Sequence, residues 1–182
     1  MTRASDASGR LDAIDRKLLD ALQRDCKQSL GELGEAVALS PPAVLERVRK
    51  LEEGGFVRGY HAVLDAGRLG LDIGAFIGVG IDHPRSIAKF ESAVERLPAV
   101  LESHHVTGRH TLLLKVRTEN TESLHQLIGA IRELPGVART ETMIVLATQV
   151  ERQRVAIPEP HAPAPRARGR RARAVASDGG TS

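Results

Sequence analysis

The chain has 182 residues and a formal net charge of +3, and its composition is 41% apolar but only 2% aromatic. The apolar share is enough for a packed core, whereas so few aromatic rings argue against modules that stack single-stranded bases on exposed rings. The single cysteine, Cys26, excludes a disulfide framework and a Cys-rich zinc site. No apolar run predicts a signal peptide or a membrane span, so we expect a soluble, cytoplasmic protein without a membrane partner.

The positive charge of the chain is concentrated at its C-terminal end. Residues 158–182 contain five arginines and two acidic residues, which gives this segment a net charge of +3 and leaves the rest of the chain neutral. The net charge therefore does not indicate that a folded domain binds DNA. That case depends on where individual charged residues lie.

Three short helices are predicted near the N-terminus. Apolar residues at helical spacing form the first helix, and Asp12 is in position to cap it. A capping box of Ser29 and Glu32 begins the second helix. Ser40 caps the third helix, in which a proline takes the first position. Because only residues 38–40 connect the second helix to the third, the pattern is typical of a helix-turn-helix.

The third helix is the predicted DNA-reading element. If Val44, Val48 and Leu51 face the core, helical geometry exposes the opposite face, whose N-terminal residues can reach base edges in the major groove. The candidate DNA-binding residues are Ser40, Pro41, Pro42, Leu45, Glu46, Arg47, Arg49, Lys50 and Arg58. Arg49 is suited to phosphate or guanine. Two alternatives stay open: the basic residues form a solvated helix face, and Arg47, beside the buried stripe, forms a structural ion pair.

Alternation of apolar and polar residues after residue 72 predicts four strands and two helices. The strands begin near Ile73, Val100, Thr111 and Val137, and a helix lies in the first and the last interval between them. This is the β-α-β-β-α-β order of a ferredoxin-like fold, so the predicted fold class is α+β. Both helices cover one face of a four-stranded antiparallel sheet.

The other face of this predicted sheet carries Phe76 and Leu113 without a helix to cover them, so we expect at least a dimer. The glycines between Gly74 and Gly80 alternate within a strand and open no helix. They therefore predict close packing across a sheet face and not a dinucleotide site.

A further strand is predicted from Phe56 to Leu64, either as a wing or as an arm that reaches a second subunit. The predicted domains are a disordered leader (1–10), a winged helix-turn-helix (11–60), a linker strand and loop (61–71), a ferredoxin-like effector-binding and oligomerisation domain (72–150) and a basic disordered tail (151–182). The tail is expected to add salt-sensitive, sequence-independent affinity for DNA.

Several stretches of the chain resemble one family of regulators. They are LDAIDRKLL at residues 11–19, LSP at 39–41, RVRKLE at 47–52, GGFVRGY at 54–60 and VTG at 106–108. In this order and spacing they resemble the Lrp/AsnC (feast/famine) family of bacterial and archaeal transcriptional regulators, over about residues 11–157. The resemblance implies a winged helix-turn-helix, a ferredoxin-like sensing domain, dimers that assemble to octamers, binding to pseudo-palindromic double-stranded DNA, and amino-acid effectors.

The loop after Val106 departs from the family pattern. Family members often carry Gly-Asp-x-Asp-Tyr there, whereas this chain has Gly-Arg-His-Thr. An arginine in this loop favours a carboxylate or another anion as the ligand group. The candidate effector-binding residues are Thr107, Gly108, Arg109, His110 and Thr111, with Thr140 and Thr142 as weaker candidates on the last strand.

No catalytic residue, metal site or cofactor is predicted. His104 and His105 are consecutive on a strand and point to opposite faces, so they cannot share one metal ion without a bulge. The function predicted is a sequence-specific DNA-binding transcriptional regulator that responds to an amino acid or a related metabolite. Two alternatives remain: an enzyme resembling sirohaem decarboxylases, which have a similar two-part architecture, and a metabolite-binding module with a vestigial helix-turn-helix.

Overall fold

The computed structural model of the protein describes residues 11–159, and these residues divide into two compact units. The helix-turn-helix unit comprises the residues up to Tyr60 together with those from Gln153 onwards, and the sheet unit comprises His61–Arg152. None of the helices in the described part of the chain is long and apolar enough to cross a membrane.

The helix-turn-helix unit contains the three predicted helices: α1 (Ala13–Arg24), α2 (Leu30–Val37) and α3 (Pro41–Glu53). Capping boxes begin α1 and α2: the Asp12 side chain accepts from the Asp15 backbone N–H, and the Ser29 side chain accepts from that of Glu32. The core is built from residues of all three helices, which are Leu18, Leu33, Val37, Val44, Val48 and Leu51. The predicted helix-turn-helix is therefore confirmed.

The turn between α2 and α3 is tight because the backbone approaches itself closely. Ala38 adopts a left-handed conformation with φ of 56°, and the Leu39 N–H donates to the Gly34 carbonyl at 2.9 Å. A Cβ on Gly34 would lie 2.5 Å from the Leu39 carbonyl oxygen. Only glycine at position 34 lets the turn close in this way.

The sheet unit contains β1 (Ile73–Ile81), α4 (Ile87–Val94), β2 (Val100–His105), β3 (Leu112–Thr118), α5 (Thr121–Arg132) and β4 (Val137–Ile144). The strand order is β2-β3-β1-β4, and all three pairings are antiparallel. This is the predicted ferredoxin-like order, so the α+β fold class is confirmed.

The two faces of the sheet differ in what covers them. Ala75, Ile77 and Val79 of β1 lie on the face that packs against Phe90 of α4 and Ile131 of α5. The alternate residues form the second face, which we call the open face. Strand pairing places on it Phe76, Gly78, Leu113, Lys115, Glu141 and Met143.

The predicted strand from Phe56 to Leu64 is not formed. The Phe56 and Val57 N–H groups donate back to the Leu51 carbonyl at 2.9 and 3.2 Å, and the residues after them are in neither helix nor strand. A strand needs a neighbouring strand to satisfy its backbone, and within residues 11–159 none pairs with this segment. Of the two alternatives predicted for this segment, the wing is therefore corrected, whereas the arm that reaches a second subunit stays a prediction.

The start of the segment that was predicted to be a disordered tail is ordered against α1. Residues 153–158 hydrogen-bond to α1, with the Val155 N–H donating to Gln23 Oε1 at 2.8 Å and Arg16 Nε donating to the Pro158 carbonyl at 3.1 Å. The composition of this short segment did not reveal these contacts, because they are made to residues more than 130 positions earlier. The rest of the predicted tail, like the leader over residues 1–10, lies outside the described residues.

Candidate DNA-binding surface and effector loop

The exposed face of α3 contains the residues that helical spacing predicted. Val44, Val48 and Leu51 are buried, and the opposite side presents the exposed residues Pro41, Pro42, Leu45, Glu46, Arg49 and Lys50. Leu45 is 54% exposed and lies outside the buried apolar stripe of the helix. An exposed leucine amid charged residues is suited to apolar contact with a thymine methyl group.

The N-terminus of α3 has an unusual set of donors. Pro41 and Pro42 occupy the first two positions and lack N–H groups. Ser40 stands at the predicted N-cap position but its side chain makes no capping hydrogen bond. One reason is that Pro42 has no N–H to give to the serine hydroxyl. This end of the helix thus offers a hydroxyl and apolar rings, and fewer backbone donors than most helix N-termini.

The basic residues at the C-terminal half of α3 are in weak surface pairs. Arg49 Nε lies 3.1 Å from Glu53 Oε1, and Lys50 Nζ lies 3.4 Å from Glu46 Oε1. Exposed pairs of this kind contribute about 0–1 kcal/mol. A phosphate can therefore replace the glutamates as partner of either cation at little cost. Arg58, after the helix, is also exposed.

Arg47 forms ion pairs inside the helix-turn-helix unit. Its Nη1 lies 2.7 Å from a carboxylate oxygen of Asp12 and 2.7 Å from one of Asp15, so it ties α3 to the first turn of α1. The backbone N–H of Asp15 and the guanidinium of Arg47 together hold the pKa of Asp12 below its usual value. Arg47 thus makes the structural ion pair that was its alternative role, and its contact with DNA stays a prediction.

The predicted effector loop joins β2 to β3 and is held by its ends. The Val106 N–H donates to the Thr111 carbonyl at 3.2 Å, and the Thr111 N–H donates to the Val79 carbonyl at 2.9 Å. The Thr111 hydroxyl accepts from the Ile81 N–H at 3.2 Å. Gly108 has a φ of 113°, which favours glycine at this point. The loop is exposed at residues 107–109.

Four polar side chains meet beside this loop, on the open face. Arg109 forms an ion pair with Glu141, and His110 Nε2 lies 3.0 Å from the same carboxylate. The Arg139 guanidinium donates to the Arg109 carbonyl. The His110 side chain is only 12% exposed, and its Nδ1 is buried with no hydrogen-bond partner among the described residues.

Thr140 and Thr142 do not join this group. They pair with Val79 and Ile77, whose side chains face the helices, and the Thr140 hydroxyl accepts from Arg132 Nε at 2.9 Å. The residue between them, Glu141, faces the loop. The period-two alternation of β4 could have identified Glu141, because neighbouring residues of a strand point to opposite faces.

The consecutive histidines of β2 lie apart, as predicted. His104 Nε2 is 2.9 Å from Glu102, and His105 Nε2 is 2.6 Å from Glu91 of α4. Glu102 also forms an ion pair with Lys115. Its hydrogen bonds with His104 and Lys115 lower the pKa of Glu102. No group of three metal-ligating side chains occurs between residues 11 and 159.

Comparison with known proteins gives matches over both units. The AsnC-type helix-turn-helix domain matches residues 11–52, and the Lrp/AsnC ligand binding domain matches residues 74–155. An HTH-type transcriptional regulator of Pyrococcus horikoshii is 35% identical over 147 residues, which are 81% of this chain and 97% of that protein. The leucine-responsive regulatory protein of Escherichia coli is 37% identical over 150 residues, covering 81% and 92% of the two chains.

Solved structures show the same similarity. A transcriptional regulator of Neisseria meningitidis in complex with L-Met superposes with a TM-score of 0.76 at 30% identity, covering 80% of this chain and 96% of the other. The leucine response regulatory protein of Mycobacterium tuberculosis superposes with a TM-score of 0.73 at 32% identity, covering 81% and 100%.

Proposed function

Because the chain belongs to the Lrp/AsnC family of transcriptional regulators, we propose that it binds specific duplex DNA sites in the cytoplasm through α3. The observation that carries this proposal is the exposed face of α3, where Leu45 and Arg49 project from a helix that follows a tight turn. The relatives compared are named as transcriptional regulators or regulatory proteins, which favours a regulator over a decarboxylase-like enzyme.

The chemistry of this face suggests how bases are read. Arg49 is able to donate two hydrogen bonds to a guanine or to bind a phosphate, and Glu46 is able to accept from a cytosine amino group. Leu45, Pro41 and Pro42 offer apolar contact to thymine methyl groups. Ser40 and Lys50 contribute phosphate contacts that set the register of the helix on the duplex.

The effector proposed is an amino acid or a related metabolite, bound at the loop of residues 107–111. Glu141 offers a carboxylate for an ammonium group, and Arg109 and Arg139 offer guanidinium groups for a carboxylate. A zwitterion would therefore find both partners in one place. The L-Met complex of the Neisseria meningitidis regulator supports an amino acid as the ligand class.

Self-association is part of the same proposal. The open face carries Phe76, Leu113 and Met143, and neither helix of the sheet unit covers it. Covering this face with a second copy gives a dimer, and further association would give the octamer that the family resemblance implies. Two α3 helices of a dimer would then enter successive major grooves, about 34 Å apart along the duplex.

The test is fluorescence anisotropy with a duplex selected from genomic fragments by the wild-type protein. Arg49→Ala and Leu45→Ala should weaken binding, by about 5- to 150-fold for a base interaction worth about 1–3 kcal/mol. Lys89→Ala, which removes an exposed positive charge from α4, is the matched control and should bind like the wild type. Retention of no fragment at low salt would overturn the proposal.

The same assay tests the effector. Each common amino acid is added to the wild type and to Arg109→Ala at fixed protein and duplex. We expect one or more amino acids to shift the wild-type affinity and the variant to lose that shift while keeping its basal affinity. An unchanged response in Arg109→Ala would remove the loop from the effector site.

A further inference from the structure

Arg139 lies on the open face beside the effector loop, and two contacts hold it there. Its guanidinium donates to the Arg109 carbonyl, which joins it to the loop. Its aliphatic stem crosses Gly80, the residue with which Arg139 pairs between β4 and β1. A Cβ on Gly80 would lie 2.7 Å from Arg139 Cγ, so a side chain there would take the space of the stem. The position of this guanidinium is therefore set by the sheet as well as by the loop.

The charges beside the loop do not balance. Arg109 and His110 share one carboxylate, that of Glu141. Arg139 binds a neutral backbone carbonyl instead, and no carboxylate of residues 11–159 forms an ion pair with it. Two guanidinium groups thus meet one carboxylate, which leaves this group of side chains with a net charge of +1 when His110 is neutral.

Arg109 is able to exchange its partner for a ligand at little cost. Its side chain is 72% exposed, and exposed ion pairs stabilise a fold only weakly. Glu141 keeps a partner after the exchange, because His110 Nε2 lies 3.0 Å from the same carboxylate. A carboxylate only accepts hydrogen bonds, so His110 Nε2 is the donor. Glu141 therefore stays in place and still has lone pairs for a donor on a ligand.

We propose that the effector loop selects a dicarboxylate, with one carboxylate of the ligand on Arg109 and the other on Arg139. A guanidinium suits this role because it binds a carboxylate through two parallel hydrogen bonds. A ligand with a single carboxylate neutralises one guanidinium and leaves the other without a counter-charge. The inference deepens the proposed function and rests on it, since it needs an effector that binds at this loop.

Two kinds of ligand carry this chemistry. An acidic amino acid has two carboxylates and an ammonium group, for which Glu141 is the acceptor. A dicarboxylate without an amine has only the two carboxylates. The probes are therefore L-glutamate and L-aspartate for the first kind and glutarate for the second.

The second carboxylate is tested by isothermal titration of the full-length chain without DNA. L-Glutamate is compared with L-glutamine, and L-aspartate with L-asparagine, because each pair differs only by an amide in place of the side-chain carboxylate. We expect the wild type to prefer the acid in at least one pair by about tenfold or more, a factor that corresponds to about 1.4 kcal/mol. Arg139→Gln should lose this preference, since it removes the guanidinium that binds the second carboxylate.

Arg96→Gln is the matched control. Arg96 is an exposed arginine that follows α4 on the helix side of the sheet unit. The substitution removes the same charge from the chain and should leave the preference for the acid unchanged. Arg139 is exposed as well, so both variants should fold, and thermal unfolding without ligand verifies this.

Glutarate distinguishes the two kinds of ligand. Tighter binding of L-glutamate than of glutarate in the wild type, with the difference lost in Glu141→Gln, would identify an acidic amino acid. Equal binding of L-glutamate and glutarate in the wild type would identify a dicarboxylate without an amine. Both results support the inference, because both ligands use the two guanidinium groups.

Three results would overturn the inference. The wild type binding the amides as tightly as the acids would show that the second carboxylate has no partner. A wild-type preference in Arg139→Gln would remove Arg139 from the site. An equal loss in Arg96→Gln would show that the charge of the chain, and not the site, sets the preference.

The titration also separates this inference from the proposed function. A neutral amino acid that binds the wild type and not Arg109→Ala would leave the effector loop in its role and refute only the dicarboxylate. Binding of DNA is measured in its own assay without any of these ligands. A chain that binds no duplex there fails the proposed function, whichever ligand it prefers.

Discussion

The position of His110 depends on a residue that has no side chain. The imidazole lies against Gly78 on the open face, and a Cβ on Gly78 would lie 2.6 Å from His110 Cδ2. Gly80 has the same relation to Arg139, whose Cγ would lie 2.7 Å from an added Cβ. The alternating glycines predicted close packing over this run, and the prediction is confirmed. The side chains that fill the space could not be named from the pattern, because they come from a loop and a strand far along the chain.

Gly78→Ala should therefore destabilise the sheet unit. The added methyl group must displace the imidazole from Glu141, and overpacking of a buried site costs about 1–3 kcal/mol. The measurement is the free energy of unfolding from urea denaturation.

Gly129→Ala is the control for this prediction. Gly129 lies in α5, and apart from its chain neighbours and the backbone of its own helix no atom of residues 11–159 lies within 4 Å of a Cβ built on it. Replacing this glycine should stabilise the helix by about 0.5–1 kcal/mol. Equal stability of Gly78→Ala and the wild type would show that His110 leaves its place freely.

Capping patterns explain why the helices begin where they do. The boxes at Asp12 and Ser29 and the N-cap at Asn120 are formed by residues three positions apart. Such local patterns can be recognised in a sequence, and the starts of α1 and α2 were predicted from them. The segment from Phe56 to Leu64 shows the opposite case. Its residues have the character of a strand, but a strand forms only where another strand pairs with it.

Asp12 combines a cap with an ion pair, and two substitutions separate the two roles. Asp12→Asn keeps an acceptor for the Asp15 N–H and loses the charge that faces Arg47, whereas Asp12→Ala loses both. We expect Asp12→Ala to be the less stable variant, by about 1 kcal/mol for the cap. Urea denaturation near neutral pH measures the difference.

The pH dependence follows from the lowered pKa of Asp12. In the folded state this pKa lies below the usual 3.8, so the charged form stabilises the fold above pH 3.8. The contribution is lost as the pH falls through the folded value. The stability difference between the wild type and Asp12→Asn should thus be constant near neutral pH and shrink in acid. A difference that persists unchanged in strong acid, below the folded pKa, would mean that the charge of Asp12 does not contribute.

At the scale of the whole molecule, the proposed self-association places a second copy on the open face of the sheet. Phe76→Glu should reduce the size of the assembly in light scattering, because a carboxylate on an apolar interface must be desolvated without a partner. The side chain is 36% exposed in the single chain, so the variant should still fold. Lys89→Glu, on the helix side, is the control. An unchanged mass for Phe76→Glu would assign the interface to another surface.

The sequence by itself determined the helix-turn-helix, the ferredoxin-like topology and the exposed face of α3. These depend on periodicity, caps and turns within short stretches of chain. The tertiary structure decided which groups meet: Arg47 with Asp12 and Asp15, His110 with Glu141, and residues 153–158 with α1. Each of these contacts joins residues that are far apart along the chain. Only the folded backbone brings such residues together, so a local pattern does not contain them.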